Sequence, residues 1–248
     1  MRVLFWTDVF WPTIGGIEVL SVRLLTALRE RGHEFLVVAS NVGLDLPEQA
    51  EYCGIPIRRF PFTTTASPAG LKQLLKVRQD VARLRQEFAP DLVHVACIAP
   101  GAMFELETAK AHPAPLLVTI QQSTAPIATE GALGLLTKLV GAADWIACCS
   151  EAMRNEVQSM LPEVGSRSSV IINAMEAPPL EPSPLPAGRP RLLGMGRLAH
   201  QKAFDVALAA VALLRDRSID VQLAIAGGGP LRESLEAQAD ALGIRDRV

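Results

Sequence analysis

The chain lacks an excess of charge of either sign: 24 basic against 26 acidic side chains leave a formal net charge of −2. That excludes a global pull towards nucleic acid or an anionic membrane and confines any anion site to a local patch. Cysteine is scarce. Among Cys53, Cys97, Cys148 and Cys149 no pair has the Cys-x-x-Cys spacing of a zinc or redox motif, and three sit in or beside apolar runs. Buried, reduced thiols are the reading, as in the cytosol. Long apolar runs are missing too: Lys138 and Asp144 break the best candidate, short of the roughly 18 uncharged residues of a membrane span. The opening Met1 to Asp8 is too short and too charged for a signal peptide. These absences predict a cytoplasmic protein, soluble or peripheral at the inner membrane face, with no nucleic-acid partner.

What is present is apolar and rhythmic. Hydrophobic residues make up 49% of 248 positions, enough for a sizeable core and for two domains. Short continuous apolar runs at Val3 to Thr7, Phe35 to Ala39, Leu92 to Cys97, Leu116 to Ile120, Trp145 to Cys149 and Val170 to Ile172 predict strands buried on both faces. Helical patterns lie between them. Ile17, Leu20, Leu24, Leu25 and Leu28 share one face ahead of Gly32, and similar segments span 71–88, 133–140 and 151–161. Alternating strand and helix predicts an α/β domain over 1–176 with a parallel sheet.

Prolines crowd residues 177–190, which can supply few backbone donors and are read as a linker. A second α/β unit follows over 191–248: strand Arg191 to Gly194, helix Phe204 to Arg217, strand Val221 to Ala226, Gly227-Gly228-Gly229-Pro230, and a helix to about Leu242. Two strands and two helices fall short of a usual sheet, so the second domain is expected to be partial.

Two places carry the chemistry. Gly15 and Gly16 follow the first strand and open the helix that begins near Glu18, where bare backbone N–H groups and a helix N-terminus suit a phosphate; a plain tight turn is the competing reading. Arg197 and Lys202 stand five residues apart just beyond a strand, where ligands of open α/β sheets bind. Two cations there would hold a diphosphate and stabilise the charge that grows on it as a glycosidic bond breaks; a pair of solvated surface charges is the competing reading. Glu18 is a candidate acceptor contact, although its charge equally suits a helix N-terminus. His94, inside an apolar strand, reads as a core residue rather than a base. The helix over 71–88 carries Lys72, Lys76, Arg78, Arg83 and Arg85 against Asp80 and Glu87, with Leu71, Leu74, Leu75 and Leu84 available for packing, either a solvated face or a contact for anionic lipid. Gly194-Met195-Gly196-Arg197-Leu198-Ala199 also fits a dinucleotide fingerprint, with Asp216 or Asp220 as ribose ligand.

With these residues in place the chain resembles glycosyltransferase family 4, retaining enzymes of GT-B architecture. The resemblance rests on Gly15-Gly16-Ile17-Glu18, Arg31-Gly32-His33-Glu34, Pro90 to Val95, Ala143 to Glu151, Val170 to Asn173, Gly196-Arg197-Leu198 with Lys202, and Ala226 to Leu231. It implies a complete N-terminal Rossmann-like acceptor domain and the first part of a nucleotide-sugar domain. It further implies sugar transfer from a nucleotide sugar to a glycan, lipid or small-molecule acceptor with retention, no cofactor and no obligatory metal. Arg197 and Lys202 would act in catalysis and, with Gly15, Gly16 and Gly227, hold the diphosphate. Three departures stand out. Gln121 replaces a frequent His, and an amide can bond a sugar hydroxyl but cannot shuttle a proton. Asn173-Ala174-Met175-Glu176 replaces Asn-Gly-Val-Asp, removing a permissive turn glycine. The family's downstream glutamate pair would lie beyond Val248, which keeps open the alternative of an inactive, nucleotide-sugar-binding remnant.

Overall fold

A computed structural model describes residues 1–43, 45–62, 68–122, 130–176, 179–181 and 188–248, without the side chains of 68, 69 and 130–133. Most of the expected linker, 177–178 and 182–187, lies outside the described residues. The chain separates into two compact units, Met1–Ala177 and Pro178–Val248.

In the first unit β1 (Arg2–Trp6) is flanked in parallel by β2 (Glu34–Ser40) and β5 (Leu92–Val95). The sheet has eight strands in the order β3-β4-β2-β1-β5-β6-β7-β8, where β3 is Gln49–Tyr52, β4 Ile55–Phe60, β6 Leu116–Ile120, β7 Trp145–Cys148 and β8 Ser168–Val170. Among the described residues only β3 is antiparallel. Alternate residues divide between two cores. Leu4 and Trp6 join Leu36, Val38, Val93 and Val118 on one face, while Val3 and Phe5 join Phe35, Val37 and Leu25 on the other. The first core is covered by α2 (Pro68–Phe88), α3 (Gly101–Thr108), α4 (Glu130–Ala142) and α5 (Glu151–Met160); the second by α1 (Gly16–Arg29).

Several expectations change. The hairpin β3–β4 was not legible as strand; its two-residue turn, Cys53-Gly54, has positive φ at both positions (53° and 71°), the backbone that suits the twist of paired strands. The last strand sits two residues earlier than expected, leaving Ile171 and Ile172 exposed. On α1 the buried residues are Ser21 and Leu25, and Leu24 faces solvent. Of the four cysteines, all free thiols, Cys148 is fully buried and Cys53 is exposed.

The charge reading of α2 is corrected at Arg85. Its side chain is buried, pairs with Glu105 of α3 at 2.8 Å and donates through Nε to the His112 carbonyl. Burial pushes the Glu105 carboxyl above its ordinary range against the pull of Arg85. Lys72, Lys76, Arg78 and Arg83 remain exposed, as do Leu71 and Leu75. Among the described residues no helix is long and apolar enough to cross a membrane.

The second unit pairs β9 (Arg191–Met195) in parallel with β10 (Gln222–Ala226). Its core draws on Leu198, Leu223 and three residues of α6 (Phe204–Asp216), namely Phe204, Leu208 and Val211, with Leu235 of α7 (Arg232–Ala241).

His94 is a core residue, as expected: it is buried on β5, hydrogen-bonded through Nε2 to Thr119 Oγ1 at 2.7 Å and set edge-on to Phe5. Burial pushes its pKa from 6.5 down to about 4. Between those values the unfolded chain binds a proton that the folded chain does not, so this contribution is whole above pH 6.5 and is lost as pH falls towards 4. The loss amounts to about 3 kcal/mol at the acid end. His94→Gln should therefore flatten the pH dependence of the urea midpoint through this window. A second change, Arg85→Ala, strands Glu105 in the core and should cost about 3–5 kcal/mol in the same measurement.

Candidate functional site

In the second unit the chain leaves β9 through Gly194-Met195-Gly196 and runs directly into Arg197. Each glycine has a steric reason. A Cβ on Gly194 would come within 2.8 Å of the Phe204 ring, Gly196 holds φ 156°, and a Cβ on Gly227 would strike the Gly196 carbonyl. Backbone bonds lace this loop to the one after β10: Gly196 N–H donates to Ala226, Leu198 N–H to Gly228, and Leu231 N–H to Leu198. The Lys202 stem lies over Gly196, its Cε 3.5 Å from where a Cβ would be. Lys202 closes a single turn, His200–Lys202, and Ala203 then takes the left-handed conformation (φ 50°) before α6 starts. That backbone costs an alanine roughly 1–2 kcal/mol. Arg197 and Lys202 are both exposed, and among the described residues neither has an ion-pair partner. Two exposed cations, without an ion-pair partner among the described residues, thus stand just beyond the C-terminal end of a parallel strand.

In the first unit the C-terminal edge of the sheet gathers Asp8 after β1, Cys97 after β5 and Gln121 after β6. Strand order reverses beside β1, which opens a crevice where connections run to opposite sides. The loop from β1 to α1 is pinned by Arg59, buried on β4, whose guanidinium donates to the Trp11 carbonyl at 2.6 Å and to Pro47 at 3.0 Å. Trp11 stacks on Tyr52, centroids 4.7 Å apart. At the helix start the Glu18 carboxylate folds against Gly15, where a Cβ would collide with it. Glu18 therefore complements the α1 N-terminus. Gly16 has open space before it. A cavity lined by Ile17, Cys97, Ile98, Thr119, Gln121 and Gln122 lies beside this turn, and Gln121 Oε1 is buried there without a hydrogen-bond partner. Asp8, half-buried, has its carboxyl pKa raised by burial.

The structure thus brings Arg197, Lys202 and Gly227 together in one unit, and Gly15, Gly16, Glu18 and Gln121 along one sheet edge in the other. Gly227 has a packing role of its own. Asp8, Cys97 and Arg59 were missed by sequence reasoning, because only the strand order makes them neighbours of the glycine turn. The dinucleotide reading fails on position: Asp216 and Asp220 precede β10, at the end of the sheet opposite the glycine loop, and are bound to arginines, Asp216 to Arg215 and Asp220 to Arg189 and Arg247. Among the described residues no three His, Cys, Asp or Glu side chains gather as metal ligands would.

Comparison with known proteins follows the same division. Residues 14–177 match the family description Glycosyltransferase Family 4, and residues 180–248 match Glycosyl transferases group 1. A GDP-mannose-dependent alpha-mannosyltransferase of Mycolicibacterium smegmatis is 28% identical over 95% of this chain and 65% of its own length. A 2-deoxystreptamine N-acetyl-D-glucosaminyltransferase of Streptomyces fradiae is 29% identical, covering all of this chain and 69% of its own. The chain thus spans about two thirds of the length of these relatives. Among solved structures, the sucrose-phosphate synthase of Thermosynechococcus elongatus superposes with a TM-score of 0.77 over the whole chain and 69% of its own, at 17% identity, a likeness of fold.

The glycines separate by substitution. Gly227→Ala forces two backbones apart and should cost about 1–3 kcal/mol in thermal or urea unfolding. Gly16→Ala meets nothing and should leave stability unchanged or raise it by up to about 1 kcal/mol.

Proposed function

This chain belongs to glycosyltransferase family 4, and we propose that it serves the transfer of a sugar from a nucleotide-sugar donor to an acceptor hydroxyl with retention at the anomeric carbon. The observation that carries this reading is the pair Arg197 and Lys202, exposed on a backbone-locked loop and without an ion-pair partner among the described residues. Family membership supplies the reaction class, and the names of the two matched transferases, which concern hexosyl and N-acetylhexosaminyl transfer, agree with it.

In this reaction the bond from the anomeric carbon to a diphosphate oxygen breaks and a bond to the acceptor oxygen forms on the same face. The acceptor proton passes to the departing oxygen. Negative charge grows on the diphosphate as the bond lengthens, and Arg197 and Lys202 stabilise it without the reorganisation that water would require. The second unit holds the donor diphosphate, with Gly227 keeping its loop in place; the first unit holds the acceptor, with Glu18 and Gln121 on its sheet edge. Gly15 and Gly16 present backbone N–H groups at a helix start, where a phosphate oxygen is favoured. No metal is required for this arrangement of charge.

A contact with membrane is the further part of the reading. Leu71 and Leu75 stand exposed beside Lys72, Lys76, Arg78 and Arg83 on α2, an apolar and basic face suited to anionic lipid.

Arg197→Ala with Lys202→Ala should abolish the thermal stabilisation that UDP or GDP confers and lower any sugar transfer by about 100-fold or more. Stabilisation by NAD(P) and by no nucleoside diphosphate would overturn the reading. The product's anomeric proton coupling, read by NMR, should match that of the donor. Co-sedimentation with phosphatidylserine vesicles at low salt should fall when Lys72, Lys76, Arg78 and Arg83 are replaced by Gln, and no sedimentation by the unaltered chain removes the membrane contact.

A further inference from the structure

We infer that Ala203 is a positioning residue: held in the left-handed region where glycine is the easy choice, its Cβ restricts the backbone behind Lys202 and keeps the root of that cation in place for a diphosphate. The inference rests on the transferase reading and concerns the same loop.

Among the described residues four that are not glycine have positive φ: Cys53, Ala89, Ala203 and Ser218. Three of them sit where the chain turns or a helix stops. Cys53 turns the β3–β4 hairpin, Ala89 follows the last residue of α2, and Ser218 stands two residues past α6, where a left-handed residue routinely ends a helix. Ala203 instead begins a helix. It is the N-cap of α6 at φ 50° and ψ 39°, whereas the N-caps of α1 and α5, Gly15 and Ser150, are both extended at φ −157°. Its methyl also offers no oxygen to the free N–H groups of the first turn, as serine, threonine or asparagine could. Angle and residue type are thus both unfavourable at this one position. Strain of that kind persists where the surroundings over-determine it, and it clusters at functional sites.

The surroundings here are the two glycines of the β9 exit. Phe204, the first residue of α6, has its ring against Gly194, and the Lys202 stem lies over Gly196. Ala203 joins the two. Its N–H donates to the His200 carbonyl at 3.1 Å, and its own carbonyl accepts from Val206 at 3.1 Å and Ala207 at 3.3 Å. One residue therefore closes the turn that carries Lys202 and opens the helix behind it. Glycine would reach the same angles without strain, but it would reach many others as readily. Alanine confines the joint to a small left-handed well. A lysine rooted in this way loses less freedom when an anion arrives.

The test compares the 248-residue chain with Ala203→Gly and Ala203→Asn, since asparagine tolerates the left-handed region and keeps a Cβ. Ala203→Gly should raise the thermal midpoint by about 2–4 °C. It should nevertheless lower the NMR order parameter of the Lys202 N–H from about 0.85 towards about 0.6, and weaken UDP and GDP, measured by calorimetry, about 3- to 10-fold. Ala203→Asn should share the higher midpoint, keep the order parameter, and hold diphosphate affinity within about 2-fold of the unaltered chain. A merely structural role moves the midpoint alone. An order parameter unchanged by glycine, or diphosphate affinity that holds or rises with it, overturns the inference, while binding that still depends on Arg197 and Lys202 upholds the transferase reading. Binding of NAD(P) and of no nucleoside diphosphate overturns that reading instead, and the order parameters of the two variants then decide by themselves whether Ala203 positions Lys202.

Discussion

Parallel pairing of β1 with β2 on one side and β5 on the other is the constraint on which the first unit depends. Parallel neighbours point their C-terminal ends to one edge, and each return must be made by a crossover that lies on a face of the sheet. The pairing therefore buries both faces, which is why Val3 to Trp6 are apolar without alternation and divide between two cores. It also delivers Asp8, Cys97 and Gln121, residues far apart in the chain, to one edge beside the helix that Gly16 opens. The chemistry of the edge is a by-product of strand order.

The second unit solves a different problem with the same geometry. The backbone positions the residues that carry the two cations: three cross-loop bonds fix the turn that carries Arg197, and the missing side chain of Gly196 gives the Lys202 stem a surface to lie on. Because no acid among the described residues pairs with either head, their charge stays available to an anion.

How much of this was legible follows from where the information sits. Runs buried on both faces and cations after a strand are local patterns: they located β1, β2, β5, β6 and β7, placed the last strand two residues late, and set Arg197 and Lys202 just beyond β9. The β3–β4 hairpin was missed because it is short and carries Gly54, Pro56 and two arginines, so its alternation looked like loop. Helix α3 was missed for the opposite reason: Gly101, Ala102, Phe104, Glu105 and Thr108 are all buried, which leaves no polar face to reveal a period. Arg85 was misread as surface charge because its partner stands twenty residues away on another helix. The cavity beside Gln121 was invisible for the same cause, since adjacency across β1, β5 and β6 is a property of the folded sheet.

The lock between Gly196 and Gly227 has an evolutionary corollary. An anion seated at Arg197 and Lys202 is recognised by charge and spacing alone, with no group that could distinguish what hangs from it. On the proposed function such a loop is a portable part: one donor could be exchanged for another by changes in other segments, with these residues untouched. Its sequence is then a good record of ancestry and a poor guide to diet.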